Sequence, residues 1–432
     1  MKMTDLIRLR GKITEYPIWG MVLVTVLLMV SPFISAWIPY AVFLICAYRL
    51  VRYDAKVFAT DYCLLIPLSA LFHTMSGMSL LIWLCLVAAV WYFFQGKIRG
   101  QSAFLLLLAL LSYMLLRMQM NINDFVLSFG QIFIMFVLLP AQDSMSAERS
   151  IKVFSWSLVV SSVYALLFRN THYIGNLVGY ESEAIWGTGI TRFQGLCEDP
   201  NYYMTQVIVA LALLCKLKET GRLQSVTFWS LGAIMTVFGI ITYSKAFFLV
   251  FLLLTGTYII WQFWNRKLFR GMIFSSIGVA AILYVLYSPN SPFAVVIERF
   301  VTSENLSDLT TGRSDLYAAY WNAITQNVRT FLFGHGLNAP LLGKGAHNLY
   351  LEIMYYTGTF GLGLIVAFYG AMFHWIGGQV PGFRKQGAIS KYVVLLIVAI
   401  VYCSLQGMFQ TISYAVFFMA YLSLYITKKE TE

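Results

Sequence analysis

A histidine and an asparagine stand where a long apolar stretch begins, in the sequence GAHNLYLE at residues 345–352. We expect the stretch 347–376 to cross a membrane as a helix, from its outer to its inner face. The positive end of the helix dipole would then face out and lower the proton affinity of His347. A neutral His347 beside Asn348 has the chemistry of a general base. The alternative is that both residues only cap the helix or contact lipid headgroups.

The other four histidines are weaker candidates for this role. Two of them are competitors of His347. His335 lies between glycines in a turn, and His172 lies in the predicted external segment 169–200. His73 and His374 lie at the ends of apolar stretches and are expected to be structural.

A possible anion site lies in the sequence TRFQGLCEDPNYYM, residues 191–204. Asp199 followed by Pro200 predicts the start of a helix, with aspartate as the cap and proline at the first helical position. The free N–H groups at this external helix end, with Arg192 seven residues upstream, favour an anion. Asp199 and Asn201 would support the site. The alternative is that the motif only starts a helix and that Arg192 extends towards lipid headgroups.

A third candidate is Lys245, in the sequence TYSKAFF at residues 242–248. It lies in a tight external turn between two long apolar stretches. A cation at this position can meet a phosphate group, or it can serve as an interfacial anchor for the turn.

Carboxylates give little indication of a metal site. Glu198 and Asp199 with Asp308 or Asp315 are the candidate set, and their spacing does not match a metal motif. The sequence contains neither D-x-D nor H-E-x-x-H. We therefore expect no metal and no cofactor.

The elements that would position these residues are membrane-spanning helices. Of 432 residues, 59% are hydrophobic and 11% are charged, against about 25% charged in soluble proteins. This predicts an all-α polytopic membrane protein of about 12–14 transmembrane helices, since apolar stretches of roughly 17–25 residues recur along the chain. The predicted spans lie near 18–31, 37–49, 62–76, 78–94, 103–119, 125–140, 151–168, 201–216, 225–242, 246–264, 272–288, 347–376, 391–407 and 409–427.

The basic residues predict the orientation of these spans. With the N-terminus inside, all but eight of the 30 basic residues fall in cytoplasmic loops, so both termini are expected to be cytoplasmic. The net charge of +11 then reflects topology and not nucleic-acid binding. The eight exceptions are Arg117, Arg169, Arg192, Lys245, Arg299, Arg313, Arg329 and Lys344.

Two long external segments, 169–200 and 289–346, interrupt the predicted spans, and long loops in compact proteins usually carry function. The second contains SDLYAAYWNAITQN, which predicts an amphipathic helix on the outer leaflet, with Ser314 as its N-cap. The chain is therefore divided into N-terminal spans 1–168, external loop 169–200, central spans 201–288, large external loop 289–346 and C-terminal spans 347–432.

Cations, outward-facing helix N-termini and a neutral histidine are thus predicted on one membrane face. This combination suits a membrane-anchored diphosphate with a reacting group beside it. The cations would stabilise a leaving diphosphate, an effect worth several kcal/mol in a dry site. The histidine would accept the proton of an attacking hydroxyl, worth roughly 10²–10⁴ in rate.

Three motifs in this order resemble the superfamily of O-antigen ligases and Wzy-type O-antigen polymerases, over roughly residues 185–380. The first is R-x-x-G-x-x-x-D-P-N, formed by Arg192, Gly195, Asp199, Pro200 and Asn201. The second is S-(R/K)-(G/A), formed by Ser244, Lys245 and Ala246. The third runs from Gly312–Arg313 through Phe333–Gly336 to Ala346–Leu351 and Gly358–Leu362.

The resemblance implies a metal-independent glycosyltransferase of GT-C-like fold in the bacterial inner membrane. Its substrate would be an undecaprenyl-diphosphate-linked oligosaccharide at the periplasmic face, and a chain-length regulator is an expected partner. The family histidine matches His347 as the base, and family arginines matching Arg192 and Arg313 would bind the diphosphate. The second motif usually carries arginine, whereas lysine at position 245 offers a point charge without the planar fork.

Three functions fit these features. A repeat-unit polymerase would transfer the growing glycan to a sugar hydroxyl of the next lipid-linked unit. A ligase would transfer the finished glycan to another acceptor such as lipid A core. A flippase for the same lipid-linked sugar is a remote alternative. It predicts two similar halves and charges buried within several spans, whereas the sequence shows no internal repeat and its charges are expected in loops. We expect the polymerase.

Overall fold

The structure, a computed structural model, describes residues 18–75, 79–95, 101–117, 132–171, 191–264, 272, 312–337, 341–343, 345–405 and 411–428. The predicted span 272–288 lies outside these residues except at residue 272. His172, Asp308 and much of the two predicted external loops also lie outside them.

The described chain is built from α-helices, which confirms the predicted all-α membrane fold. Within the described residues, three helices are long and apolar enough to cross a membrane: Ser144–Phe168, Lys245–Trp264 and Leu349–Gln379. A shorter apolar helical stretch is Ile132–Ala141. The helices are α1 (Ile18–Ile34), α2 (Ile38–Arg52), α3 (Ala55–Leu65), α4 (Leu80–Phe94), α5 (Gln101–Arg117), α6 (Ser144–Phe168), α7 (Pro200–Glu219), α8 (Ser225–Ile240), α9 (Lys245–Trp264), α10 (Arg313–Thr325), α11 (Val328–Phe333), α12 (Leu349–Gln379), α13 (Ala388–Val401) and α14 (Thr411–Leu422).

The helices fall into two compact units. The first contains α1 to α4, Ile132–Ala141 and α6, and the second contains α5 and α7 to α14. In the first unit α3 packs along α6, where Ser157 donates its hydroxyl to the carbonyl of Leu64 at 2.7 Å. Small hydroxyl residues let membrane helices approach closely and bond across their interface.

The predicted span 62–76 is wrong. The helix there is α3, which begins at Ala55 because Asp54 caps it, and which ends before Pro67. Proline cannot supply the N–H that would continue the helix. The carboxylate of Asp61 inside α3 forms a bidentate pair with the guanidinium of Arg49, with both bonds at 2.8 Å.

Two cations that the sequence placed in cytoplasmic loops are buried in helices. Arg49 lies in the last turn of α2, and Lys216 lies in α7 with none of its surface exposed. The predicted spans end at or before these residues, whereas α2 continues to Arg52 and α7 to Glu219.

Helix α7 lies at the centre of the second unit. It packs against α8, α9, α13 and α14, and nearly all of its residues are buried. A helix that is apolar on all sides belongs in such a position. The first residue of α7, Pro200, is itself buried.

Helix α12 is broken at Gly358, where the backbone has φ = 68°. The break leaves the carbonyls of the preceding turn available to other donors. The backbone N–H of His335 bonds the carbonyl of Tyr355 at 2.8 Å, and that of Gly336 bonds Tyr356 at 3.0 Å. The F-G-x-G motif, residues Phe333–Gly336 of the third sequence motif, is thus bonded to the break in α12.

Helix α5 packs along α12 and closes the same junction. The hydroxyl of Tyr113 donates to the carbonyl of Thr357 at 2.6 Å. The guanidinium of Arg117 donates to the carbonyl of Gly334 at 2.8 Å. Arg117, an external cation in the sequence layout, therefore anchors the F-G-x-G turn.

The amphipathic helix predicted in the large loop is present as α10, but its predicted N-cap is wrong. Gly312 with φ = 75° precedes the helix as its N-cap, so Ser314 lies inside the helix. The predicted apolar stripe of α10 consists of Leu316, Tyr317, Tyr320, Trp321 and Ile324. Tyr320 and Ile324, which belong to the apolar stripe, are fully buried, and α10 packs against α12. Trp321 of the same stripe is exposed, so α10 packs on α12 through only part of the stripe.

Candidate active site

Arg192 contacts the turn that precedes Lys245 in the second unit. The Nε of Arg192 donates to the carbonyl of Thr242 at 3.0 Å, three residues before Lys245. The backbone N–H of Phe193 donates to the carbonyl of Ile241 at 3.0 Å. The segment before α7 is therefore bonded along the turn that connects α8 with α9, and two sequence motifs form one local structure.

The N-termini of α7 and α9 are joined by their own side chains. The hydroxyl of Ser244, the residue before α9, donates to Oδ1 of Asn201 in the first turn of α7 at 3.0 Å. Asp199 caps α7, as predicted, by accepting from the backbone N–H of Asn201 at 2.5 Å. Two positive helix ends thus lie side by side with Arg192 and Lys245, an arrangement that favours an anion.

His347 precedes α12 in a left-handed conformation, with φ = 50°. Asn348 is the cap of α12, because its Oδ1 accepts from the N–H groups of Tyr350 at 3.1 Å and Leu351 at 3.3 Å. The capping role proposed for the pair therefore belongs to Asn348. The half-buried His347 side chain is outside the helix, beside its positive end.

Contacts on both sides hold the backbone of His347 in place. On the preceding side, the buried carboxylate of Glu352 accepts from the N–H of Ala346 at 2.9 Å. On the other side, the hydroxyl of Tyr317 donates to the carbonyl of His347 itself at 3.1 Å. A left-handed residue other than glycine persists when its surroundings determine it in this way.

Arg313 reaches the same hydroxyl. It is the first residue of α10, and its side chain interacts with the Tyr317 side chain one turn later. Burial raises the pKa of Tyr317, and the charge of Arg313 lowers it in part. Arg313 and His347 are thus brought together through Tyr317, which remains protonated and able to donate at neutral pH.

Helix α13 connects the two groups of residues. It packs against both α7 and α9, and it continues into the short 3-10 helix Tyr402–Ser404, which packs against α12. The carbonyl of Cys403 in that segment lies 3.2 Å from the Tyr317 hydroxyl, as a second acceptor for its one proton. The Arg192–Lys245 turn and the Arg313–His347 group therefore belong to the same unit and share one supporting helix.

His335, the competitor of His347, has a packing role. Its ring stacks on Tyr355 with centroids 4.6 Å apart, and Nε2 lies 3.0 Å from the carbonyl of Ala323. Within the described residues no three His, Cys, Asp or Glu side chains form a group that could hold a metal ion. Asp315 is exposed in the first turn of α10.

Sequence reasoning missed Tyr317 and Glu352. Tyr317 was placed in the apolar stripe of α10, and a hydroxyl four residues after Arg313 was the signal for a contact between them. Glu352 is a carboxylate within an apolar stretch, which indicates a specific partner. That partner is a backbone N–H group that only the fold brings near.

The fold and these groups define a polytopic helical membrane protein whose polar side chains gather at helix N-termini of one unit. Comparison with known families adds a similarity: residues 231–366, less than half of the chain, match a family model described as O-antigen ligase. This match confirms the resemblance to the O-antigen ligase and Wzy-type superfamily. It includes Lys245, Arg313, His347 and Asn348, and it begins after Arg192, Asp199 and Asn201. No curated protein sequence matches the chain.

Proposed function

We propose that this protein is a repeat-unit polymerase for an O-antigen or capsule-type polysaccharide. It transfers a glycan from undecaprenyl diphosphate to a sugar hydroxyl of a second lipid-linked unit. The reaction takes place at the external face of the bacterial inner membrane, with both termini cytoplasmic. It uses no metal or cofactor, and a chain-length regulator is an expected partner.

The observation that carries this proposal is the bonding of Arg192 to the turn that bears Lys245. The family match begins at residue 231 and so does not include Arg192. The contact nevertheless places this arginine beside a matched cation and two adjacent helix N-termini. Such a group suits a diphosphate, which carries several negative charges and many acceptor oxygens.

The proposed reaction assigns each residue a step. The acceptor hydroxyl oxygen forms a bond with the anomeric carbon of the donor glycan while His347 accepts the hydroxyl proton. The bond between that carbon and the diphosphate oxygen breaks, and undecaprenyl diphosphate leaves with the electron pair. Arg192, Lys245 and Arg313 stabilise the charge that develops on the leaving oxygen.

A ligase is the second candidate, and the description of the matched family as O-antigen ligase favours it. Both activities use the same donor and differ in the acceptor. A ligase would place lipid A core, or another acceptor, where the polymerase places the next lipid-linked unit.

An assay with two acceptors separates the candidates. Purified protein in lipid receives the lipid-linked repeat unit alone, or the same unit with lipid A core, and the products are resolved by size. A ladder with the repeat unit alone supports the polymerase. A single transfer that requires lipid A core establishes the ligase instead, and transfer to neither acceptor contradicts the proposed function.

A further inference from the structure

The hydroxyl of Tyr317 lies where the proposed base and a proposed diphosphate ligand meet. It is within hydrogen-bond distance of two carbonyls, His347 at 3.1 Å and Cys403 at 3.2 Å. The Arg313 side chain also interacts with this hydroxyl. One hydroxyl on α10 therefore links Arg313 of the same helix with His347 and with the short helix Tyr402–Ser404 that follows α13.

The chemistry of these groups determines the direction of each interaction. Arginine has donors only, so Arg313 can act towards the phenol oxygen only as a donor, while the phenol O–H donates to a carbonyl. A guanidinium has five N–H donors, so Arg313 can keep one on Tyr317 and present others to an anion. A positive charge beside the phenol oxygen also polarises the O–H bond and strengthens its bond to the carbonyl.

The backbone at His347 gives this bond a specific consequence. A non-glycine residue with φ = 50° is in a sparsely populated conformation. The carbonyl that Tyr317 holds belongs to that residue, so loss of the hydroxyl removes one of the contacts that stabilise this conformation. The imidazole would then be less well placed, although the helix cap at Asn348 remains.

We infer that Tyr317 is a positioning residue that fixes His347 relative to Arg313, and so relative to the diphosphate that leaves. The inference rests on the proposed function, because it concerns the same site. Tyr317 does not exchange a proton with substrate. Tyr317 keeps His347, the proton acceptor, at a fixed position relative to Arg313, the cation that binds the leaving diphosphate. This matters most in the transition state, where His347 and Arg313 act at the same time.

Tyr317→Phe tests this inference, and Tyr350→Phe is its matched control. Tyr350 donates its hydroxyl to the carbonyl of Ala399 at 2.9 Å, a bond of the same kind to a neighbouring part of the same segment. Within the part of the chain that the structure describes, the Tyr350 hydroxyl bonds neither Arg313 nor the His347 carbonyl. Thermal unfolding of both variants in detergent shows whether the loss of a hydroxyl affects folding equally.

We expect Tyr317→Phe to lower kcat for glycan transfer by about 10-fold to 100-fold, since misplacement of a reacting group by about 1 Å costs about 10² in rate. KM for the lipid-linked donor should change less than threefold. Tyr350→Phe should stay within about twofold of the native protein. In a double-mutant cycle with Arg313→Gln, the two effects should be less than multiplicative, because each variant breaks the same connection.

Native kcat in Tyr317→Phe would overturn the inference, as would equal losses in the two phenylalanine variants. Fully multiplicative effects in the cycle would also overturn it, because they would show that Arg313 and Tyr317 act independently. The proposed function fails in a different way. If the native protein transfers glycan to neither acceptor, or if His347→Ala transfers at the native rate, then the proposed chemistry is wrong and the role of Tyr317 falls with it.

Discussion

His347 and Lys245 differ in how the chain restrains them. His347 is held in a left-handed conformation by contacts with its own carbonyl and with the preceding N–H group. Lys245 is the first residue of a helix, and the contacts described around it involve the backbone of its turn. A base must be oriented within hydrogen-bond reach of one proton. A lysine ammonium is a point charge and tolerates more freedom.

Substitution at Lys245 tests its role in binding the diphosphate. Lys245→Ala should lower kcat/KM for the lipid-linked donor by about 10²-fold, in the range found when one electrostatic donor is removed from an active site. Lys245→Arg should retain at least about half of the activity, because the charge remains and the resemblance has arginine at this position. Steady-state transfer kinetics at saturating acceptor measure both. Equal activity in all three proteins would mean that Lys245 is only an interfacial anchor.

The sequence was a good guide to residues whose role follows from local pattern. Asp199 before Pro200 predicted a helix cap, and the structure confirms it. The joining of Arg192 to Thr242 and of Asn201 to Ser244 could not be predicted in this way, because the partners are 50 and 43 residues apart. Spacing along one helix can be read from a pattern, whereas contacts between helices depend on packing.

At the scale of the elements, the break in α12 explains why glycines recur in two distant motifs. Gly358 in α12 and Gly334 in the F-G-x-G motif both have positive φ, and their backbones are in close contact. A Cβ built on Gly358 would lie 2.3 Å from the carbonyl oxygen of Leu332. The crossing of α11 with α12 therefore requires glycine on both sides, for space and for conformation.

Gly358→Ala should destabilise the protein and reduce transfer. The new methyl group collides with backbone and the residue keeps a strained φ, so we expect a cost of several kcal/mol, above the roughly 1–3 kcal/mol of conformational strain alone. Gly370→Ala is the control, because it lies on the same helix with nothing within 4 Å of its Cβ position. Thermal unfolding in detergent compares the two. Equal midpoints would contradict the close crossing at Gly358.

The start of α6 provides a test by pH. Asp143 caps this helix by accepting from Ser146 at 2.8 Å and pairs with Lys56. Burial raises the pKa of Asp143. The bonds from Lys56 and Ser146 together lower it by more than burial raises it, so the pKa lies below its ordinary value of 3.8. A carboxylate with a lowered pKa in the folded state stabilises the fold above its unfolded pKa and loses this contribution as the pH falls through its folded pKa.

Asp143→Ala should therefore cost about 1 kcal/mol at pH 7, which is typical for loss of a cap. The difference from the native protein should start to decrease as the pH falls below about 3.8 and be lost below the lowered folded pKa of Asp143. Asp143→Asn keeps a capping oxygen without the charge and should lose only a few tenths of a kcal/mol. Thermal midpoints measured from pH 7 to pH 3 give both values. A difference that persists unchanged at pH 3 would show that the carboxylate charge is not involved.

Element boundaries were predictable only where composition changed sharply. The span predicted near 246–264 begins one residue after the observed start of α9, Lys245, and ends at the same residue, Trp264. A polar turn precedes this helix in the sequence and a basic loop follows it.

The span 62–76 failed because α3 starts at its Asp54 cap and ends before Pro67. The sequence window also excluded Asp61, which is buried in α3 in a pair with Arg49. A sequence window treats both as charges that interrupt a span, although a paired charge can be buried in a helix.

At the scale of the whole molecule, the distribution of basic residues predicts the topology of the chain in the membrane. Thr325→Cys, at the exposed end of α10, should react with a membrane-impermeant maleimide added outside intact spheroplasts. Lys428→Cys, near the C-terminus, should react only after the membrane is permeabilised. The labelling is carried out in a variant without the native cysteines. The opposite pattern would place the candidate site on the cytoplasmic face and contradict the proposed access to the lipid-linked donor.

The assignment of His347 as the base is the central claim, and one comparison tests it most directly. Native protein, His347→Ala and His374→Ala are placed in lipid with the lipid-linked repeat unit, and transfer and donor binding are measured separately. His374 is an exposed histidine near the other end of α12, so its variant controls for loss of an imidazole from the same helix. We expect His347→Ala to bind donor and lose at least about 10²-fold in transfer, with His374→Ala unchanged. Transfer by His347→Ala at the native rate would contradict the account.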